Sequence, residues 1–509
     1  MRMKKTPKNS KNGEVSTAMP VVFKFEIPKE VSRVTETLEK AGFEAYFVGG
    51  CVRDLILGRE PKDWDVTTNA VPDEIIALFP KTFYENSYGT VGVVNEDTEN
   101  ETLKVVEVTP YRLEASYSDN RRPDSVTFSK RLADDLQRRD FTINALALDS
   151  KGEVTDLYDG IKDILAKTIR TVGNPEERFT EDGLRIMRTV RLYADLGFEI
   201  EAGTAEAIKK LAPVLDKIAK ERIRDEFVRI IMSDRPALGI EMAQKLGILR
   251  YIVPELEQGL GVTQNQAHAF DVWTHLMKTL QHAADKKWPL HIRLAALFHD
   301  IGKPKTRRTD GKKGDVTFYG HEVVGARMTE KIMRDLRFPK DLSENVVRLV
   351  RWHMFFSDTE QITLSAVRRL ISKVGKDNVW DLMNVRICDR IGTGRPKENP
   401  YRLRKYKSMV EEVMRDPVSV GMLAIDGKGV MEVAGIPAGP KIGHILHALL
   451  EEVLEDPKLN TKEYLGEKAI KLGALSEKEL ADIGKKGREK KEEEDEKGLK
   501  EIRDKYHVE

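Results

Sequence analysis

The run Phe43-Glu-Ala-Tyr-Phe-Val48 is aromatic and β-branched, and Gly49-Gly50 breaks it at once. This reads as a short strand followed by a tight turn. Cys51 to Leu57 then reads as a helix, stopped by Gly58. Strand, glycine pair and helix start form a backbone cradle whose free N–H groups and helix dipole suit phosphate oxygens. Gly49 and Gly50 line that cradle, and Arg53, in the first turn, can add a bidentate contact to a triphosphate. A plain strand–turn–helix explains the same residues unless an acidic partner follows. One does, in Lys62-Asp63-Trp64-Asp65-Val66. In extended chain, Asp63 and Asp65 point the same way, about 6.6 Å apart. Two carboxylates on one face repel unless a cation lies between them, and Mg²⁺ binds through one or two carboxylates together with substrate phosphates.

Further along, Val105 to Tyr111 reads as another strand. Glu107 on it is either a third carboxylate near the metals or a charged residue on an edge strand. Tyr117 to Phe128 reads as a loop and strand, and Asp135-Leu-Gln-Arg-Arg-Asp-Phe-Thr-Ile-Asn-Ala145 follows. With the glycine pair and Asp-x-Asp, these segments resemble the class II nucleotidyltransferases that add CCA to tRNA, and their relatives the bacterial poly(A) polymerases. The resemblance implies that Asp63, Asp65 and Glu107 are catalytic, that Mg²⁺ is bound by Asp63 and Asp65, and that Arg139 contacts nucleotide phosphate. It also implies that Asp140 and Asn144 hold the site together. On physical grounds alone, Arg138 and Arg139 can equally be a solvated pair.

Glu181-Asp-Gly-Leu-Arg-Ile-Met-Arg-Thr-Val-Arg191 reads as a helix start in which Asp182, Arg185, Arg188 and Arg191 recur every three residues. A salt-bridged solvated face is the ordinary meaning of such a pattern. A sharper one exists. Carboxylate accepts and guanidinium donates. Cytosine and adenine both offer an amino donor beside a ring-nitrogen acceptor, so one Asp and one Arg complement either base, whereas guanine and uracil present the reverse. A site that hydrogen-bonds its substrate can reject a mismatch by about 10⁴-fold. The family resemblance assigns this role to Asp182 and Arg185, and places Arg188 and Arg191 at the nucleotide.

His275, His299-Asp300, His321, His353 and Asp389 form a second set. The order His…His-Asp…Asp, with His299-Asp300-Ile-Gly-Lys303, resembles the HD phosphohydrolase superfamily. Imidazole and carboxylate together suit a divalent transition metal or Mg²⁺. The resemblance implies one ion on His275, His299, Asp300 and Asp389, with His321 and His353 as ligands of a second.

Among 509 residues, 33% are charged, yet the net charge is only +1, so RNA contact would rest on local patches such as Lys209-Lys210, Lys217 to Arg224 and Arg402 to Lys407. Each of these can as well be a solvated helix face. Two cysteines, Cys51 and Cys388, argue against a disulfide framework and suit a cytoplasmic protein. No long apolar run predicts a membrane span.

The expected fold class is α+β: a small mixed-sheet, polymerase-β-like nucleotidyltransferase head, then a mostly helical neck, HD domain and tail. The expected division is a basic disordered tail (1–21), head (22–173), neck for nucleotide selection and RNA contact (174–258), HD domain (259–395), tRNA-binding tail (396–475) and a charged low-complexity tail (476–509). Within it, a neck helix is expected over Leu238 to Leu249, a linker over Gly392 to Pro400, and a helix after Pro437-Ala-Gly-Pro-Lys-Ile-Gly443. The expected function is template-independent addition of CCA to the tRNA 3′ end from CTP and ATP. Alternatives are a bacterial poly(A) polymerase, an enzyme adding only CC or A, or an HD-type metal phosphohydrolase whose head is an RNA-binding module. Oligomeric state is not legible in the sequence.

Overall fold

The computed structural model describes residues 24–84, 89–114, 126–264, 269–309, 316–355, 362–476 and 479–480. The basic tail, most of the Tyr117 to Phe128 loop and nearly all of the charged tail lie outside them. The described chain is mixed α and β, and it divides into two compact units, 1–254 and 255–509.

The first unit is built on a seven-stranded sheet. Its strands are β1 (Ala45–Val48), β2 (Asp65–Thr68), β3 (Thr82–Tyr84), β4 (Val91–Val94) and β5 (Val105–Pro110). After a separate ribbon of β6 (Arg112–Glu114) and β7 (Val126–Phe128), β8 (Leu146–Leu148) and β9 (Val154–Asp156) complete it. The spatial order is β3-β4-β5-β2-β1-β8-β9. Only β2 and β5 run parallel. Period-two alternation gives the sheet two unlike faces. Phe47, Val66, Val91, Val93, Val106 and Val108 are buried on one, against Val31, Val34 and Leu38 of the helix Lys29–Lys40. The intervening residues, Asp65, Glu107 and Gly92 among them, therefore stand on the other. β5 is interior, so Glu107 is not on an edge strand.

The helix after the glycine pair is Gly50–Ile56. Gly49 has φ +80°, which a side chain would resist. Beyond the sheet, the helix Pro175–Glu181 ends at Asp182, and a separate helix, Leu184–Leu196, follows. Asp182 thus lies between two helices and does not begin the arginine stripe. A Cβ at Gly183 would come 2.7 Å from Val214, so the bend is closed by packing. The neck helix expected over Leu238 to Leu249 is Pro236–Lys245, with proline at its first turn.

The second unit is helical. Helices Val272–Asp285, Leu290–Phe298, His321–Asp335, Lys340–Trp352 and Val379–Gly392 carry the histidine and aspartate set. Gly392, expected to open a linker, closes the last of them. The helices Gly427–Ala434, Pro440–Glu455 and Lys462–Gly473 share a separate apolar core around Val430, Leu449 and Leu465. Pro440 starts its helix, so the Pro437 to Gly443 segment enters the helix instead of preceding it. Both cysteines are buried and unbridged. No helix among the described residues is long and apolar enough to cross a membrane.

Candidate active site

Asp65 opens β2 and pairs across the parallel register with Glu107, so their side chains leave the sheet side by side. Asp63 precedes the strand and is exposed; Asp65 is half-buried. Burial pushes the Asp65 carboxyl above its ordinary range; Arg139 pulls it back and Asp63 pushes it up again. A cation bound there would offset the burial cost and the Asp63 repulsion, so the residues fit a divalent ion.

On the other side of Asp65 lies the glycine pair. A Cβ built at Gly49 would be 3.1 Å from Arg139 Nη1 and 3.3 Å from Asp65 Oδ2. Glycine leaves room for the guanidinium and the carboxylate each to lie against the backbone there. Arg139 is not a solvated residue: its Nη2 donates to the fully buried Asp135 at 2.9 Å, and Arg138 pairs with the same carboxylate. Buried Arg139 Nε has no hydrogen-bond partner among the described residues. The Cys51 thiol beneath is pushed up to about 12 by burial, which removes it as a nucleophile.

Arg53 is turned from the position its sequence suggested. Its Nε and Nη2 donate to Asp54 at 2.9 and 2.8 Å, and its Nη1 donates to Asn144 at 2.7 Å. The Asn144 amide in turn donates to Asp140 at 3.2 Å, and Asp140 pairs with Arg188 at 3.1 Å. Asp140 and Asn144 therefore bind the cradle to the helix Leu184–Leu196. Arg188 is the junction. Asp140 above all, then Glu226, Asp182 and Asp65, hold its guanidinium charged against burial.

The arginine stripe is mostly covered, not a solvated face. Arg185 is 7% exposed. Its Nη1 donates to Glu181 at 2.6 Å and to the Arg178 carbonyl at 3.1 Å, and its Nη2 donates to the Arg138 carbonyl at 3.0 Å. Asp182 accepts from the Leu184 N–H at 3.1 Å and from Arg222 at 3.1 Å. Arg191 pairs with Glu226 at 3.1 Å. Asp182 and Arg185 are thus held by different partners. Guanidinium has five N–H donors and each carboxylate oxygen two lone pairs, so Arg185 keeps two donors and Asp182 one acceptor site per oxygen. Buried Arg178 Nε and Arg222 Nη1 also lack hydrogen-bond partners among the described residues. Arg222 stood out in the sequence as part of the basic stretch Lys217 to Arg224. Asp135 was visible only as the first residue of the Asp135 to Ala145 segment, and Arg178 was not singled out, although their partners Arg138, Arg139 and Glu181 lie three or four residues away.

The second unit holds a tighter set. His275 Nε2 is 2.9 Å from His299 Nε2, 3.2 Å from Asp300 Oδ2 and 3.4 Å from Asp389 Oδ1. His299 Nε2 is 3.3 and 3.7 Å from the same two oxygens. Donors at these spacings surround a point about 2 Å from each, the distance at which zinc-like ions take nitrogen and oxygen. The other Asp300 oxygen faces His321 Nε2 at 3.2 Å and His353 Nε2 at 3.5 Å. Among the described residues these two groups alone gather three or more such donors within 4.8 Å; the head carboxylates stand farther apart. Burial opposes charge on His299, but Asp300 and Asp389 raise its imidazole to about 10. Burial lowers His353 to about 4. The pocket thus concentrates a demand for positive charge, and the residues fit metal. Lys303 Nζ lies 2.6 Å from Asp300 Oδ2.

Three family descriptions match successive parts of the chain: the poly(A) polymerase head domain over residues 45–170, a probable RNA and SrmB-binding site of polymerase A over 197–260, and the HD domain over 268–390. A CCA-adding enzyme of Ligilactobacillus salivarius is 34% identical over 456 residues, covering 88% of this chain and 98% of that protein. One from Leuconostoc mesenteroides is 44% identical over 257 residues, 49% of this chain, and that match spans only 62% of the relative's length. The crystal structure of the Bacillus stearothermophilus CCA-adding enzyme in complex with CTP is similar with a TM-score of 0.66 at 29% identity, covering 87% of this chain and 98% of that one.

Proposed function

Because the chain belongs to the family of CCA-adding enzymes, we propose that it completes the 3′ end of tRNA with C, C and A, taken from CTP and ATP without a nucleic-acid template. The observation that carries this reading is the placement of both Arg139 and Asp65 against the bare Cα of Gly49. It joins a phosphate-binding cation to a metal-type carboxylate across one backbone position.

Asp63, Asp65 and Glu107 would hold divalent ions, for which Mg²⁺ is the proposed species. Such ions supply, when bound, activation of the RNA 3′-hydroxyl and neutralisation of the departing pyrophosphate. Arg139 presents its unpartnered Nε to the triphosphate, and the Gly49-Gly50 backbone lets phosphate approach closely. Arg53 reaches phosphate only with the two donors left after its three bonds to Asp54 and Asn144, so its role there is chiefly to brace the cradle. Asp182 accepts from the amino group of cytosine or adenine, and Arg185 donates to the neighbouring ring nitrogen. Arg222 and Glu181 fix those two side chains before the base arrives, so little freedom is lost on binding. Arg188 and Arg191 tie the base-reading segment to the carboxylates. The cytoplasm is the compartment that fits two buried, unbridged cysteines.

The test is incubation of the purified protein with tRNA lacking its terminal triplet, using CTP alone, ATP alone and both together, with the products sequenced. Expected are cytidines with CTP alone and a completed CCA with both. Extension by A alone would instead favour a poly(A) polymerase or an A-adding enzyme.

The donor sets around Asp300 favour a second activity, metal-dependent phosphoester hydrolysis in the HD region. His275, His299, Asp300 and Asp389 would hold one ion and Asp300, His321 and His353 another. Bis-p-nitrophenyl phosphate with added Ni²⁺ or Mn²⁺ tests it: turnover abolished by His299→Ala supports the reading, and no turnover with any metal rejects it.

A further inference from the structure

Phe83 lies in β3 on the same transverse row of the sheet as the acidic residues. In register, Phe83 faces Gly92, Gly92 faces Glu107, and Glu107 faces Asp65. All four project from the face opposite the Val91 and Val93 core. A Cβ built at Gly92 would be 2.4 Å from Phe83 Cζ and 2.6 Å from Cε1. The ring therefore reaches inward across β4, toward Glu107, over a position without a side chain. It nevertheless stays 41% exposed. Single exposed apolar residues are common and mean little. This one is aimed along the row of carboxylates.

We propose that Phe83 is the platform on which the base at the growing 3′ end of the RNA stacks during addition. The inference rests on the polymerase reading above. The phosphate cradle of Gly49, Gly50 and Arg139 stands over the β1 side of Asp65. In phosphoryl transfer the attacking and leaving oxygens lie roughly in line, so pyrophosphate departs on that side and the attacking 3′-hydroxyl approaches over β5, β4 and β3. Strands lie about 4.8 Å apart. A ring over β4 is thus about one strand spacing from Glu107 and two from Asp65, a span bridged by a nucleotide whose 3′-oxygen is at the carboxylates. The terminal base also changes at each step, from whatever base precedes the triplet to C and then C again. A hydrogen-bonding reader suited to one would reject another, whereas stacking on an aromatic ring accepts every base.

The test uses three tRNA acceptors, lacking CCA, CA and A, and measures KM for tRNA and for nucleotide. Phe83→Ala is expected to raise the tRNA KM about tenfold on all three, with the nucleotide KM unchanged. Phe83→Leu should match it and Phe83→Trp should retain the parent value, which separates stacking from simple apolar cover. Gly92→Ala, which keeps the ring but forces it off β4, should reproduce the rise. Parent-like KM in Phe83→Leu or Gly92→Ala, or a change confined to the nucleotide KM, overturns the platform while the polymerase reading stands. A parent protein that adds no nucleotide overturns both.

Discussion

The two candidate sites handle charge in opposite ways. In the helical unit, His275, His299, Asp300 and Asp389 are all buried and their donor atoms already converge. In the head, Asp63 is exposed, Glu107 is exposed, and only Asp65 is partly covered. The buried set is already partly neutralised, by Lys303 on Asp300 and Arg386 on Asp389, and its converging donors fit a small ion. The open set leaves room for ions that, on the proposed reading, would arrive with a triphosphate whose oxygens complete the coordination. The difference also appears in the cations. Lys303 is directed into the buried carboxylate it neutralises, while Arg139 and Arg222 keep buried donors unspent. One pocket has its donors converged and buried; the other is open and keeps buried cationic donors unpaired among the described residues.

The largest expected effect that sharpens this contrast is at Asp65. Asp65→Ala should lower CTP incorporation by about a thousandfold or more, because metal assistance supplies several kcal/mol of transition-state stabilisation. Metal bound after exhaustive dialysis, measured by elemental mass spectrometry, should not change. If dialysed protein loses all its metal whether or not Asp65 is present, the helical pocket holds no resident ion and the comparison breaks. His299→Ala should give the reverse metal result. It removes the imidazole that lies between Asp300 and Asp389, and bound metal and melting temperature should both fall, by about 3 kcal/mol in stability. A chelator should lower the melting temperature of the parent and leave that of the variant where it is.

Asp182→Ala addresses selection within the open site. Discrimination of CTP over UTP should fall by about a hundredfold, with the triphosphate contribution to binding changed far less; competition assays with inorganic triphosphate separate the two. Equal rejection of UTP by variant and parent would remove the base-reading role. The smallest effect concerns Asp135. Burial raises its carboxyl pKa, but Arg138 and Arg139 more than compensate and hold it below 3.8. Its folded value is thus below its unfolded one. The stability it confers is fully present above pH 3.8 and is lost as pH falls below that value. Urea midpoints between pH 5 and 3 should show this acid-side loss in the parent and a shallower one in Asp135→Asn.

The head cradle was legible because its parts are local. A strand, two glycines, a helix and Asp-x-Asp lie within about twenty residues, and turn chemistry needs no distant partner. The position of Glu107 was not legible. Its adjacency to Asp65 comes from parallel pairing of strands forty-two residues apart, and only that pairing makes β5 interior. Phe83 was invisible for the same reason, since its row depends on two more strand registers. The arginine stripe misled because spacing records which residues neighbour one another, not what covers them. Arg185 is covered by Glu181 and by carbonyls of Arg178 and Arg138. The body set was found through its His-Asp signature, yet the sharing of Asp300 between two donor groups required the folded bundle.

Gly49 has a consequence for how freely this chain can vary. Gly58 also has a positive φ, +69° against +80°, but at Gly49 ψ is −138°, outside the left-handed helical region. Nothing lies within 4 Å of a side chain's first atom at position 58, whereas at position 49 that atom meets an acid and a base together. A saturation library should therefore recover asparagine, which tolerates a positive φ, at 58 and fail to recover it at 49. A positive φ at both positions would hide that contrast from a survey of φ alone, and a count of surviving clones would expose it.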